Sequence, residues 1–167
     1  PAVSGNLTAY YFPRTDGIDT VAQGLAGVDC TTGPSVDVMA AHFVRTGVRD
    51  QLTAMAGTGG GGRVLARADN IDRALCDSLV AGSVLVRIGA EPSASQVGIH
   101  AKYLTVTGAN QHLVWMGSHN LTDNALLYND ETFLLIDDQQ VHDDFQTNFN
   151  TIWNQPAMTD GCQTVLQ

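Results

Sequence analysis

Alternating strand-like and helix-like segments between residues 36 and 89 constrain the fold more than any other feature of this chain. Runs rich in β-branched and aromatic residues, which are typical of strands, occur at Val36–Val44, Arg63–Asp69 and Ser83–Gly89. The segments between them have helical patterns, with Thr46 as the expected N-cap of the first, and Asn70 and Gly82 as the expected N-cap and stop of the second. Strands that are separated by helices form parallel sheets with right-handed crossovers. The sequence therefore predicts an α/β fold, in which a mixed central β-sheet is flanked by helices on both faces.

The second half of the chain adds further strands and a closing helix to this pattern. We expect a loop at EPSASQ, strands at VGIHAKYLTVT and HLVWMGS joined by the turn GANQ, a helix or turn from Asn120, and a strand at ETFLLID. The segment DQQVHDDFQTNFNTIWNQ has apolar residues at helical spacing and predicts an amphipathic helix. Side chains of a strand return to the same face every second residue, so His100 and Lys102 are expected to lie on one face.

The size of the chain favours a single domain over residues 1–167, with an N-terminal arm at 1–35 and a core at 36–167. Its 167 residues, 44% of them hydrophobic, are enough to bury a sizeable core. No apolar run approaches the roughly 20 residues that a membrane-spanning helix needs. The first residue is Pro1 and no signal-peptide pattern follows it, so we expect a piece that was processed or excised from a longer precursor.

The charge of the chain argues against a stable nucleic-acid partner. The net charge is −9, and the eight cationic side chains comprise seven arginines and one lysine, Lys102. Proteins that track nucleic-acid phosphates need clustered lysine and arginine, because binding is driven by the release of counterions. Lys102 therefore stands out as a cation placed for a smaller anionic group.

Three cysteines, Cys30, Cys76 and Cys162, are too far apart in sequence to match a zinc-binding spacing, so no metal is expected. An odd number allows one internal disulfide and one further thiol, which is either free or bonded to a separate chain. Cys162, near the C-terminus, is the first candidate for a bond to a separate chain. Three reduced and buried cysteines are an equally good interpretation of the sequence.

A group of side chains suited to phosphate chemistry surrounds Lys102. His100 precedes the lysine by two residues, and Gly117, Ser118 and Asn120 follow it on the next strand-like segment. An imidazole can act as nucleophile or general acid, an ammonium group neutralises phosphate oxygens, and hydroxyl and amide groups donate hydrogen bonds to the same oxygens. Glu131 could accept a hydrogen bond from the second ring nitrogen of His100 and set its tautomer.

This string resembles the signature of the phospholipase D superfamily, in which H-x-K-x4-D is followed by G-S-x-x-N or G-S-x-N. The matching residues are His100, Lys102, Gly117, Ser118 and Asn120, and Glu131 lies where members of the family carry a carboxylate that braces the histidine. The resemblance extends over most of the chain, because residues 36–69 are similar to the strand, helix and strand that precede the motif in that family. The segment LVWMGSHNLTDNAL is similar to the version in secreted actinobacterial members, which implies an extracellular protein.

The resemblance implies a phosphodiesterase that needs no metal or other cofactor. In the family, one histidine attacks phosphorus to form a phosphohistidine, and a second histidine protonates the leaving alcohol. His100 would supply one of these imidazoles, and Lys102, Ser118 and Asn120 would bind the phosphate. The second imidazole must then come from another motif-bearing half of the same precursor, of which this chain would be the C-terminal half, or from a second copy. The expected substrate is a phospholipid or a small glycerophosphodiester.

One departure from the signature leaves alternatives open. The position of the motif aspartate is occupied by Thr107, a change that threatens local rigidity more than chemistry, because that aspartate is usually structural in the family. A nuclease of the same superfamily and a non-catalytic half that only binds phosphate are the two alternatives. The remaining histidines, His42, His112, His119 and His142, have no aligned chemical partner in the sequence. His119 lies inside the Gly-Ser turn and could line the pocket, and we expect the other three to be exposed or in the core.

Overall fold

The computed structural model of the chain describes residues 1–90 and 98–165. Its strands are β1 (Ala2–Ser4), β2 (Leu7–Tyr11), β3 (Ser35–Ala40), β4 (Gly61–Arg67), β5 (Leu85–Gly89), β6 (Lys102–Gly108), β7 (Gln111–Gly117), β8 (Thr132–Asp137) and β9 (Thr159–Asp160). Its helices are α1 (Thr20–Ala26), α2 (Thr46–Gly57), α3 (Arg73–Ala81), α4 (Asp123–Leu127) and α5 (Gln139–Trp153). The predicted loop EPSASQ lies outside the described residues.

The strands form one mixed sheet in the order β1-β2-β8-β7-β6-β3-β4-β5-β9. β3, β4 and β5 are parallel, as the alternation of strands and helices predicts, and the other neighbouring strands are antiparallel. The segment predicted as an N-terminal arm supplies β1, β2 and α1, and β2 pairs with β8 in the register Leu7 to Ile136. The motif strand β6 therefore lies in the middle of the sheet, between β3 and β7.

Helices cover both faces of the sheet, which confirms the predicted fold class. On one face, apolar residues of α1, α2, α3 and α4 pack into the larger core, among them Leu25, Leu52 and Leu79. On the other face, α5 packs through Phe149 against Met39 and Tyr103 of the sheet. None of the helices within the described ranges combines the length and the apolar character that a crossing of the bilayer requires.

Three predicted helix starts are wrong. In two of them, a short polar side chain at a neighbouring position caps the helix instead. Asp72, not Asn70, caps α3, because its carboxylate accepts hydrogen bonds from the backbone N–H groups of Ala74 and Leu75. Likewise, the hydroxyl of Thr122 caps α4. Thr46 is already helical, and the preceding Arg45 occupies the cap position without a capping side-chain bond. Gly82 ends α3 as predicted.

A disulfide joins Cys76 of α3 to Cys162 in the C-terminal segment. The expectation that Cys162 bonds to a separate chain is therefore wrong, and so is the interpretation of three reduced cysteines. β9, at the edge of the sheet, pairs with β5, and this pairing brings the C-terminal segment close to α3. Cys30 is the free thiol.

Candidate active site

The predicted site lies at the end of the sheet where the parallel strands β3 and β4 finish. Lys102 opens β6 and pairs with Ala40, the last residue of β3. A further hydrogen bond, from the N–H of Ala41 to the carbonyl of Ala101 at 2.9 Å, continues this pairing toward His100. His100 itself precedes the strand and its side chain is exposed. Loops at the carboxyl ends of parallel strands are common places for binding sites, because the strands hold them rigidly.

The turn after β7 is fixed to β8 through backbone contacts. A Cβ atom on Gly117 would lie 2.1 Å from the carbonyl oxygen of Thr132, so the close approach of the two chains requires glycine here. The N–H of Ser118 donates to that carbonyl at 3.1 Å, and the hydroxyl of Ser118 accepts from the N–H of Thr132 at 3.2 Å. These bonds hold Ser118 and the following residues beside the motif strand.

One open cleft of about 720 Å³ brings together four of the five predicted site residues. They are His100, Lys102, Ser118 and Asn120. Tyr103, Met116 and Phe145 form much of the remaining wall. An imidazole, an ammonium, a hydroxyl and an amide therefore face a single space that is large enough for a small-molecule ester. The side-chain oxygen of Asn120 is buried and has no hydrogen-bond partner among the described residues, so it is an unsatisfied acceptor.

Glu131 lies close to this group but is not among the described residues that line the cleft. Its carboxylate accepts a hydrogen bond from the side chain of Asn129 at 3.3 Å, and its backbone carbonyl accepts one from the N–H of Phe12 at 3.0 Å. Its charge interacts with Lys102 and favours the ammonium form. The bracing of His100 by Glu131 stays a prediction.

Lys102 differs from every arginine in the chain in how its charge is compensated. Each of the seven arginines forms an ion pair with an aspartate: Arg14–Asp16, Arg45–Asp19, Arg49–Asp50, Arg63–Asp37, Arg67–Asp69, Arg73–Asp77 and Arg87–Asp160. For Lys102, the described part of the chain holds no carboxylate at ion-pair distance, and its ammonium donates to the backbone carbonyl of His100 at 2.8 Å. It therefore retains donors for an anion in the cleft.

The pKa of Lys102 is lowered mainly by burial and further by the charge of Arg67, while Glu131 acts in the opposite direction. If the ammonium binds the reacting phosphate, activity is present below this lowered pKa and is lost as the pH rises through it. We therefore expect kcat/KM, measured as a function of pH, to fall on the alkaline side at a pH below about 10.4, where an ordinary lysine loses its proton. Lys102→Arg should move that limb to higher pH, since a guanidinium stays protonated. If the alkaline limb of Lys102→Arg does not move, the titration belongs to another group.

Lys102→Ala should raise the activation barrier by about 3–4 kcal/mol, which is comparable to the loss of one preorganised donor.

Thr107, at the position of the motif aspartate, joins β6 to α5. Its hydroxyl lies 2.9 Å from Nε2 of the buried His142, whose Nδ1 lies 3.1 Å from the carboxylate of Asp143. When Nδ1 of His142 carries the ring proton and donates it to the carboxylate of Asp143, Nε2 is unprotonated. Nε2 then accepts a hydrogen bond from the hydroxyl of Thr107. The link is structural, because it lies outside the residues of the cleft. It restrains the motif strand at the position where the signature has its aspartate.

His119, inside the Gly-Ser turn, is a core residue. Its ring is fully buried, stacks on Phe12 at a centroid distance of 4.1 Å, and places Nε2 3.1 Å from a guanidinium nitrogen of Arg45. Burial first and the charge of Arg45 second lower the pKa of His119 to about 3. The imidazole is therefore neutral at physiological pH and anchors the turn that carries Ser118 and Asn120.

His42 is a residue near the site that the sequence pattern missed. It follows the last residues of β3, and its carbonyl accepts from the N–H of Leu121 at 3.0 Å. Its side chain is half-buried and, together with Asn120, lines a second hollow beside the cleft. No signal in the sequence pointed to it, because His42 falls inside the predicted strand Val36–Val44, whereas β3 ends at Ala40. In the described part of the chain, no three His, Cys, Asp or Glu side chains are grouped closely enough to hold a metal ion.

Comparisons with known proteins agree on the family and the fold. A family profile described as "Cardiolipin synthase, PLD-like domain" matches residues 31–153. The solved structure of Nuc from Salmonella typhimurium, a phospholipase D family member, superposes with a TM-score of 0.74 at 18% identity, over 92% of this chain and 96% of that chain. NucT from Helicobacter pylori gives 0.70 at 15% identity, over 92% and 98% of the two chains. Phosphatidylserine synthase from Haemophilus influenzae gives 0.67 at 12% identity, over 96% of this chain and 41% of that chain. Among curated proteins, none matches this sequence.

Proposed function

The chain belongs to the PLD-like domain family of the phospholipase D superfamily, and on that premise we propose that it is a phosphodiesterase that cleaves a phospholipid or a small glycerophosphodiester. The observation that carries the proposal is the convergence of His100, Lys102, Ser118 and Asn120 on one cleft. These side chains come from the start of β6, the residue pair before it and the turn after β7, and they present the groups that a phosphoryl-transfer site needs.

The proposed reaction has two steps. In the first, a ring nitrogen of one histidine attacks phosphorus, the N–P bond forms, and the P–O bond to the leaving alcohol breaks. A second imidazolium gives its proton to the leaving oxygen. In the second step that imidazole removes a proton from water, the resulting hydroxide attacks phosphorus, and the N–P bond breaks. Lys102, Ser118 and Asn120 bind the non-bridging oxygens and stabilise the charge that develops on them.

The reaction needs two imidazoles on opposite sides of phosphorus, and among the described residues of the cleft His100 is the one histidine. We therefore place the second imidazole on another motif-bearing chain or half. On this proposal the isolated monomer is inactive, because one imidazole cannot serve as nucleophile and as leaving-group acid in the same step.

A lipid suits the surroundings of the cleft better than a nucleic acid. Met116 and Phe145 give the cleft an apolar wall, and an adjoining groove of about 350 Å³ is lined by His100 and by apolar residues that include Ile99, Ile152 and Met158. The seven arginines are all engaged by aspartates, and the net charge is −9. A nucleic-acid groove needs cations that are free to contact successive phosphates.

An assay with three substrates tests the proposal. The protein, at concentrations on both sides of any self-association, is incubated with vesicles of choline-headgroup lipid, vesicles of ethanolamine-headgroup lipid, and plasmid DNA. We expect release of headgroup, increasing with the associated form, and intact plasmid. Nicked DNA would support the nuclease alternative, and no product at any concentration would support a half that only binds phosphate. His112→Ala is the matched control for His100→Ala, since His112 lies on β7 outside the residues of the cleft.

Secretion is a further part of the proposal. The Cys76–Cys162 disulfide supports it, because structural disulfides persist in oxidising compartments.

A further inference from the structure

We propose that Arg45 is a positioning residue for the candidate active site: through His119, its guanidinium holds the turn that presents Ser118 and Asn120. The inference rests on the proposed function for the reaction that this turn serves. The contacts that carry it do not depend on a substrate, because Arg45 and His119 are both buried in the protein itself.

The guanidinium of Arg45 joins the N-terminal segment to the turn. The side chain is 3% exposed, Nε lies 2.9 Å from the carboxylate of Asp19, and a terminal nitrogen lies 3.1 Å from Nε2 of His119. An arginine only donates hydrogen bonds, so Nε2 is an unprotonated acceptor and the ring proton of His119 lies on Nδ1. Arg45 thus selects one of the two tautomers of the residue between Ser118 and Asn120.

Contacts of Arg45 also flank Asn120 in the sequence. The side chain of Arg45 binds His119 on one side, and its backbone N–H donates to the carbonyl of Leu121 at 3.0 Å on the other. A guanidinium nitrogen lies 3.5 Å from the carbonyl of Thr122 as well. One residue therefore holds both neighbours of Asn120, and a displacement of Arg45 would move the amide that lines the cleft.

Stability alone does not account for an arginine at this place. Taking a guanidinium out of water is costly, and one terminal nitrogen of Arg45 has no hydrogen-bond partner among the described residues. Burial accordingly lowers the pKa of Arg45, and the charge of Asp19 acts in the opposite direction without cancelling it. Apolar side chains of similar volume often stabilise a core as well as a buried ion pair does. What Arg45 adds is a donor of fixed geometry directed at the ring of His119.

The same contacts make the N-terminal segment a part of the site. Phe12 and Asp19 both precede residue 31, where the match to the family profile begins. Phe12 stacks on the ring of His119. One carboxylate oxygen of Asp19 caps α1, and the other forms the ion pair with Arg45. Two restraints on the turn therefore come from a part of the chain outside the matched region.

The tautomer of His119 is the first measurement, because it needs neither substrate nor turnover. NMR of the ring nitrogens in the full chain distinguishes a protonated from an unprotonated nitrogen. We expect the native ring to carry its proton on Nδ1, and Arg45→Met, which lacks the donor, to shift the population toward Nε2–H. A native ring with its proton on Nε2 would overturn the inference.

Two substitutions of His119 separate the hydrogen bond from the packing. His119→Gln keeps an acceptor, because its side-chain oxygen can replace Nε2, whereas His119→Phe keeps an aromatic ring and removes the acceptor. Titration with inorganic phosphate, followed through the side-chain amide signals of Asn120, should show weaker binding in His119→Phe and Arg45→Met than in His119→Gln. In the same two variants kcat/KM should fall by up to about 10²-fold, as expected for a positioned group displaced by roughly 1 Å. The double variant should lose no more than either single one, because both remove one contact.

Asp19→Asn keeps the test decisive if Arg45→Met does not fold. Asparagine retains an oxygen to cap α1 but removes the charge that fixes Arg45. Its matched control is Asp72→Asn, the same replacement at the cap of α3 and outside the residues of the cleft. We expect Asp19→Asn to lower kcat/KM roughly tenfold with a native circular dichroism spectrum, and Asp72→Asn to leave it unchanged.

The outcomes separate this inference from the proposed function. Lower stability of the Arg45 and Asp19 variants, with native kcat/KM, native phosphate binding and a native His119 tautomer, would make Arg45 a structural residue and overturn the inference. Loss of the tautomer together with weaker phosphate binding, in a chain that cleaves no phosphodiester, would uphold the positioning role and reject the proposed function.

Discussion

Replacing His100 with alanine is expected to abolish phosphodiester turnover while leaving the fold intact. The side chain is exposed at the mouth of the cleft, so its removal creates no buried cavity. Loss of a general acid costs about 10²–10⁴ in rate, and loss of the nucleophile removes the covalent route altogether. The measurement is kcat/KM on the lipid that gives product in the three-substrate assay, with circular dichroism to verify folding and His112→Ala as the control. Near-normal activity in His100→Ala would remove the basis of the proposed mechanism.

The same variant distinguishes the two roles that His100 can take. If His100 is the nucleophile, the variant forms no acid-labile phosphoenzyme with any substrate. If it is the general acid, a substrate with a good leaving group needs no proton and still gives a burst of phosphoenzyme on the partner's histidine. In the superfamily, the first motif often supplies the nucleophile. If this chain is the C-terminal half of a two-motif precursor, as its sequence predicts, this favours the acid role for His100.

Loss of the Cys76–Cys162 disulfide is expected to lower the free energy of unfolding by about 2–5 kcal/mol. The bond joins residues 86 positions apart, so it restricts a large part of the unfolded chain. Both sulfurs lie among buried residues of the larger core, so two alanines also remove packed volume there. Denaturant unfolding of Cys76→Ala/Cys162→Ala, compared with the reduced and oxidised native chain, gives the change in midpoint and slope.

The matched control for this experiment is Cys30→Ala, because Cys30 is a free and half-buried thiol. We expect its midpoint to stay close to that of the native chain. An equal loss of stability in the control and in the double variant would show that the disulfide itself contributes little.

Local patterns in the sequence were sufficient for the class of the fold and for most of the candidate site. The alternation of strands and helices between residues 36 and 89 is read from side-chain periodicity, which depends on near neighbours only. His100, Lys102, Ser118 and Asn120 likewise lie at the start of β6 and directly after β7, the two strands of one hairpin. These four residues meet because antiparallel neighbours joined by a tight turn have little choice of register.

Positions of helix starts were less predictable, because several candidates compete over a few residues. Asn70 and Asp72 can both cap a helix, and the choice of Asp72 depends on which backbone N–H groups the preceding loop directs toward it. Thr46 is the first residue of α2, and Arg45, which forms an ion pair with Asp19, stands at the cap position.

By itself, the sequence determined the α/β class, the parallel unit of β3 to β5, four polar residues of the cleft and the presence of Lys102 as the one lysine. Only the tertiary structure decided the pairing of β2 with β8, the partner of Cys162, the engagement of every arginine by an aspartate, and the place of His42 in a hollow beside Asn120. The physical reason is range: periodicity and motif spacing reflect interactions between near neighbours. Ion pairs, disulfides and pockets instead depend on which distant segments the completed sheet brings together.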